Sequence, residues 1–259
     1  MVMTLERRTT KSTASLDNTS PGAPLWLESM WTMDWLSLRL SPVYRGEGLP
    51  NGDGSAVITV PGFMCHDALM LEMNGWLRRL GYRPYLSGIG INANCPDVLA
   101  ERLEATVRRA YGETGKPVRI IGHSLGGMIG KRVAIQQPQM VSQLIFLGTP
   151  LQAIHAHPQI LAAGTLMMAM RSLVQGRECR CFTPQCECGF TEDMDAQVPK
   201  NVRHAAIFTR HDGVVDWHDA QETHPRLNHE VGGTHLGLPY NARAYYAIAH
   251  ILQDRRRPV

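Results

Sequence analysis

The stretch VRIIGHSLGGMIGKRVA, residues 118–134, decides the fold. An apolar run, Val118 to Ile121, predicts a buried strand. It ends in Gly122-His123-Ser124-Leu125-Gly126-Gly127, and a helical pattern follows at once. This is a G-x-S-x-G nucleophile elbow in the strand–turn–helix context such a motif requires. A serine on so sharp a turn is forced toward strained φ/ψ, and turn and helix approach closely only where Cβ atoms are missing. The elbow therefore pushes the Ser124 hydroxyl above the sheet and aims the first helical N–H groups at the same spot.

Working outward, strands alternate with helices. AVITVPGF (56–63) predicts a strand entering a Pro-Gly turn, DALMLEMNGWLRRLG a helix ending at Gly81, and YRPYLSGIG the next strand. A helix from Pro96 to Gly112 precedes the elbow strand, and one from Met128 to Gln137 follows the elbow. QLIFLGTP (143–150), NVRHAAIFTRHDG and a short segment near 227–231 predict further strands before a closing helix at 241–253. This alternation predicts an α/β fold: a mostly parallel central sheet with helices on both faces. PVYRGEGLPNGDGS predicts a loop. Residues 1–24, rich in Ser, Thr, Asn, Gly and Pro, predict a flexible tail, and 25–259 a single domain.

Segment 151–200 interrupts the alternation and predicts a cap insertion over the site. Its Met-rich run, ILAAGTLMMAMRSLV, is either ordinary core or the lining of an acyl-binding cleft. The segment LWLESMWTMDWLSLRL, 25–40, predicts a helix packed on the domain; an interfacial segment resting on lipid or a partner is the alternative.

The 259 residues are 44% hydrophobic with a net charge of +3, enough for a well-buried core. Basic residues are scattered apart from Arg255-Arg256-Arg257, which argues against nucleic-acid binding. The N-terminus lacks the apolar core of a secretory signal, and the longest apolar run, Ile160 to Met170, is too short to span a bilayer. A cytoplasmic protein is the expectation. Cys65 and Cys95 each stand alone as small hydrophobes, while Cys179, Cys181, Cys186 and Cys188 form C-x-C-x4-C-x-C. That cluster is a tetrathiolate zinc site, a set of disulfides or a group of thiols. The C-x-C spacing is narrower than most zinc sites use, and disulfides conflict with a reducing compartment.

A serine hydroxyl needs an adjacent general base, and histidine, with a pKa near the working pH, both takes and returns a proton. The histidine in turn needs a carboxylate to hold its tautomer. Asp212 is the first carboxylate past the strand HAAIFT, with Asp216 its local competitor. His235 lies in a Gly-flanked loop before the last helix; His229 falls within or before a short strand and is less suited to reach the nucleophile. Backbone donors for an oxyanion come from Leu125, the residue after the nucleophile, and from Val60-Pro61-Gly62-Phe63-Met64. Proline cannot donate, so Phe63 is the first choice and Met64 the second. One such donor is worth ~10²–10³ in turnover.

PGF, GHSLGG, LGTP, DGVVDW and GTHLG, in this order, resemble the lipase/esterase branch of the α/β-hydrolase superfamily over residues 55–253. The order Ser124…Asp212…His235 is the one that superfamily uses. The resemblance implies a cofactor-free serine hydrolase that cleaves apolar acyl esters through an acyl-enzyme. Many lipases carry His-Gly where this chain has Pro61-Gly62, so contacts of that histidine side chain are lost here. The same residues suit an acyltransferase or thioesterase, and the fold also serves as a non-catalytic ligand-binding protein.

Overall fold

The computed structural model describes residues 23–152, 156–160, 162–166, 188–194 and 196–254. Most of the expected N-terminal tail, the greater part of the expected cap with its Met-rich run, and Cys179, Cys181 and Cys186 lie outside these residues.

Six strands form one sheet: β1 (Ala56–Val60), β2 (Arg83–Leu86), β3 (Val118–His123), β4 (Val141–Leu147), β5 (Arg203–Phe208) and β6 (Asn228–Glu230). Their order is β2-β1-β3-β4-β5-β6, and every pairing is parallel. The chain steps outward from β1 to β2, then returns to the other side of β1 with β3. That reversal opens a crevice at the carboxyl ends of β1 and β3, where ligands of open α/β sheets bind.

The helices are α1 (Trp31–Leu40), α2 (Pro42–Arg45), α3 (Leu71–Arg79), α4 (Pro96–Thr114), α5 (Leu125–Gln136), α6 (Phe190–Met194) and α7 (Ala242–Gln253). Successive strand residues face opposite ways, so each apolar strand feeds two cores. Ile58, Ile120 and Leu144 meet Leu99 and Leu103 of α4 and Ile129 and Val133 of α5. Val57, Ile121 and Ile145 meet Trp76 and Leu77 of α3 and Tyr245 and Ile248 of α7. Such two-sided burial explains why β1, β3 and β4 are continuous apolar runs rather than alternating ones.

Two expectations need correction. The stretch 42–55 is not all loop: Ser41 accepts the N–H of Tyr44 at 3.3 Å, Pro42 stands in the first turn, and left-handed Gly46 closes α2. A polar cap followed by proline is a helix start. The segment 25–40 splits into a 3-10 turn, Leu25–Met30, and α1. Its buried residues are Glu28 and Leu38, while Trp26 is 68% exposed.

Candidate active site

Strand β3 delivers Ser124 at its carboxyl end with φ 51° and ψ −127°, a left-handed conformation that costs a non-glycine residue of order 1–3 kcal/mol. The surroundings hold it there. Ser124 N–H donates to Leu147 O (2.8 Å), and its carbonyl accepts from Gly127 N (2.9 Å) and from Thr149 Oγ1 (3.1 Å). Leu125 opens α5, so its N–H belongs to the helix end that has no intrahelical acceptor.

The turn after β1 lies against this elbow. A Cβ on Gly62 would come within 2.7 Å of His123 Nδ1 and 3.3 Å of Ser124 Cβ, so only glycine lets the turn approach the serine. Buried Asn92 braces the turn: its side-chain amide N–H donates to Pro61 O (2.8 Å), and its backbone carbonyl accepts the Met64 N–H (2.8 Å). The Met64 N–H is thereby occupied. Asn92 carried no signal in the sequence; its partners lie some thirty positions away.

The loops after β5 and β6 bring Asp212 and His235 together. His235 Nδ1 donates to Asp212 Oδ2 at 2.6 Å, with both side chains buried. Asp212 Oδ1 also accepts the N–H groups of Val214 (2.9 Å) and Val215 (2.8 Å). A carboxylate with three donors cannot turn away, and because it only accepts, Nδ1 carries the proton and Nε2 the lone pair. Gly148, at φ 55°, makes room for the ring: a Cβ there would sit 3.1 Å from His235 Nδ1. The competitors are engaged elsewhere. Asp216 Oδ1 accepts from His218 Nδ1 (2.7 Å) and His218 N (3.0 Å), and His229 sits within β6.

Two further residues tie these loops together, and neither stood out in the sequence. Glu28 is buried and accepts three backbone N–H groups: Gly213 (2.8 Å) and His235 (3.2 Å) on Oε1, and Leu236 (2.8 Å) on Oε2. One carboxylate thus grips the residue after Asp212 and the successive N–H groups of His235 and Leu236. His123, next to the elbow serine, donates from Nε2 to the His235 carbonyl at 3.0 Å, and the two rings lie 4.8 Å apart. In outline, Asp34 of α1 repeats the work of Glu28, accepting from Thr234 N (3.3 Å) and Asn241 Nδ2 (2.9 Å).

The electrostatics follow. Burial pushes the His235 imidazole down, but the charge and hydrogen bond of Asp212 and the charge of Glu28 outweigh it and raise the pKa above 6.5. Burial, with repulsion from His235, drives His123 down to about 3, so its ring stays neutral. Asp34 is raised by burial, against the hydrogen bonds of Thr234 and Asn241.

Cys95 does not stand alone: its sulfur lies 3.3 Å from that of Cys188. Among the described residues, no helix is long and apolar enough to cross a membrane.

No protein-family model matches the chain, and no curated protein sequence is similar to it. Solved structures do share its fold. The mature lipase BlEst2 of Bacillus licheniformis superposes with a TM-score of 0.57 at 15% identity, covering 79% of this chain and 94% of that one. A Paleococcus ferrophilus monoacylglycerol lipase gives 0.53 at 12% identity, covering 79% and 96%. Aspergillus fumigatus lipase B gives 0.54 at 14% identity, covering 86% of this chain and 58% of that one. With the parallel sheet and its two helical layers, the chain has the α/β-hydrolase fold.

Proposed function

We propose that this chain is a serine hydrolase of carboxylic esters, with Ser124 as nucleophile, His235 as general base and Asp212 as its orienting acid. The observation that carries the reading is the pairing of a strained serine at the head of α5 with a buried, carboxylate-oriented histidine whose backbone is bonded to the serine's own neighbour. In this scheme Nε2 of His235 takes the Ser124 proton as Oγ bonds to the ester carbonyl carbon. The N–H groups of Leu125 and Phe63 receive the charge on the carbonyl oxygen. Collapse breaks the bond to the alcohol oxygen, which leaves with the proton from His235. Water, deprotonated by the same nitrogen, then releases the acid and restores Ser124.

Glu28 acts here as a positioning residue. By holding the N–H groups of Gly213 and His235 on one oxygen, it keeps the acid and base loops in register, and its charge favours the imidazolium formed as the serine attacks. An apolar acyl group suits the rim: Met64 in the oxyanion turn is 56% exposed and Leu236, beside the base, 41%. The structural relatives described as lipases agree with this substrate class.

A fluorophosphonate probe tests the nucleophile directly. Wild type labels strongly, Ser124→Ala does not label, and its turnover of p-nitrophenyl esters falls by about 10⁵-fold or more. Equal labelling of the two proteins overturns the reading.

A further inference from the structure

We propose that Asn92 is a positioning residue for the oxyanion: through the turn 61–65 it directs the Phe63 N–H to the carbonyl oxygen that Ser124 attacks. This role presupposes the ester-hydrolase reading above, to which it adds a residue acting only through the backbone of the turn. Asn92 stands in the loop after β2, and buried Asp67 fixes that loop. Asp67 accepts the Ser87 hydroxyl and the N–H groups of Gly88 (3.0 Å) and Gly90 (3.1 Å), both left-handed glycines. Residues 87–92 thus form an anchored back wall, and Asn92 brings it to the turn.

Three groups of the turn converge on this one residue. Its side-chain amide donates to Pro61 O (2.8 Å), its backbone carbonyl accepts the Met64 N–H (2.8 Å), and its backbone N–H donates to Cys65 O (2.9 Å). A fourth bond, from Cys65 N–H to Gly62 O at 3.1 Å, closes the turn on itself. Peptide units are planar, so a carbonyl held on one side sends the N–H of the same unit to the other. With Gly62 O turned in toward Cys65, the Phe63 N–H of that unit points out of the turn. Met64 completes the turn at φ 60°, a left-handed conformation that a non-glycine residue keeps only where its surroundings enforce it. Gly62 brings the turn against the elbow, where a Cβ would come within 3.3 Å of Ser124 Cβ.

Packing does not explain the Asn92 side chain. It is fully buried, and among the described residues its Oδ1 has no hydrogen-bond partner. A buried acceptor left unpaired is destabilising, so packing alone favours an apolar residue here. The amide cannot flip to relieve this, since Oδ1 would then meet Pro61 O, another acceptor. What the amide secures is the direction of the Pro61 carbonyl. That oxygen lies against Gly126 in the first turn of α5 and leaves no room there for a Cβ. The first N–H groups of α5 lack intrahelical acceptors. A Pro61 carbonyl released from Asn92 is free to take one of them, and a donor proposed for the oxyanion is then lost.

The test compares the full wild-type chain with Asn92→Leu and Asn92→Ala, which remove the donor, and with Leu99→Ala, a core truncation in α4. Active sites are counted by fluorophosphonate titration run to completion, and rates are taken per site. Both Asn92 variants are expected to lose about 10–100-fold in kcat, with KM changed by less than about threefold. A trifluoromethyl ketone, whose adduct with Ser124 carries the oxyanion, should bind them more weakly by the same factor. The acid limb of the pH profile should stay in place, because His235 is untouched. Leu99→Ala is expected to lose stability and keep wild-type kcat per site. Asn92 variants with wild-type kcat and ketone affinity, altered only in melting temperature, overturn the proposal, and so does a change confined to KM. If neither Asn92 variant folds, hydrogen exchange in wild type decides. The Asn92 side-chain amide protons should exchange at least about tenfold more slowly in the ketone adduct, and unchanged exchange overturns the proposal. The hydrolase reading fails separately, through wild type that shows no Ser124-dependent labelling, and this role then falls with it.

Discussion

The elbow at 118–134 and the segment at 25–40 both converge on the candidate site, but they are built in opposite ways. Around Ser124 the strain is created locally: β3, the turn and α5 are contiguous, and the glycines that allow the turn belong to the same motif. Glu28 has no local role of this kind. Its three partners are 185, 207 and 208 residues away, and its own neighbours Trp26 and Met30 face outward. A carboxylate brought out of water costs several kcal/mol unless donors meet it; here three N–H groups do. The proposed nucleophile thus takes its strained turn within one stretch of chain, with β4 and the turn after it holding it in place. The proposed base is set by hydrogen bonds that exist only once distant parts of the chain have met.

That contrast is sharpest at Asp212, where the largest effect is expected. Asp212→Asn leaves the elbow intact but cannot hold His235 in the required tautomer. Ester turnover should drop by about 10³–10⁴-fold with little change in the circular dichroism spectrum. An activity near wild type would mean that the base is prepared by something other than this carboxylate.

Glu28→Gln comes next. The side chain keeps its size but turns one acceptor into a donor facing a backbone N–H and removes a charge near His235. We expect kcat/KM to fall by about 10–100-fold, since small misplacements at a site cost this much. The groups facing the His235 ring and backbone are Asp212, Glu28 and His123, and only the first two are anionic. Glu28 stabilises the charged imidazolium, so removing its charge lowers the His235 pKa. The acid limb of the kcat/KM profile should then move to lower pH. A purely structural role for Glu28 would lower activity and leave that limb in place.

The smallest effect concerns His123, which links the two regions. Its ring is neutral in the fold, with a pKa near 3 against 6.5 for an ordinary histidine. Between these values the unfolded chain binds the extra proton, so this residue's contribution to stability falls as pH drops below 6.5, by about 1.4 kcal/mol per pH unit. His123→Gln should flatten the dependence of denaturation midpoint on pH between about 6 and 4. An unchanged slope would show that the buried ring is not what makes the fold acid-sensitive.

Much of the architecture was legible in the chain. Apolar runs marked β1, β3 and β4, and the periodic helix at 96–112 extends only to Thr114, where left-handed Gly115 stops it. Asp212 and His235 were legible for a similar reason, as the polar residues placed just past strand ends in Gly-containing loops. In segment 25–40 the pattern did not mark which residues fix it to the domain: they are the carboxylates of Glu28 and Asp34 and the buried Leu38, while Trp26 is exposed.

The amino-acid sequence by itself determined the elbow, the strand–helix alternation and the two residues, Asp212 and His235, that meet at 2.6 Å. These follow from backbone strain, side-chain period and turn chemistry, which operate over a few neighbouring positions. Only the tertiary structure decided that Glu28 grips both loops, that Asn92 accepts the Met64 N–H, that His123 bonds the His235 carbonyl, and that Cys95 meets Cys188. Each of these is a contact between single polar or thiol groups far apart in the chain. Such contacts have no period to betray them, and they form only when the sheet has set the distance between the segments that carry them.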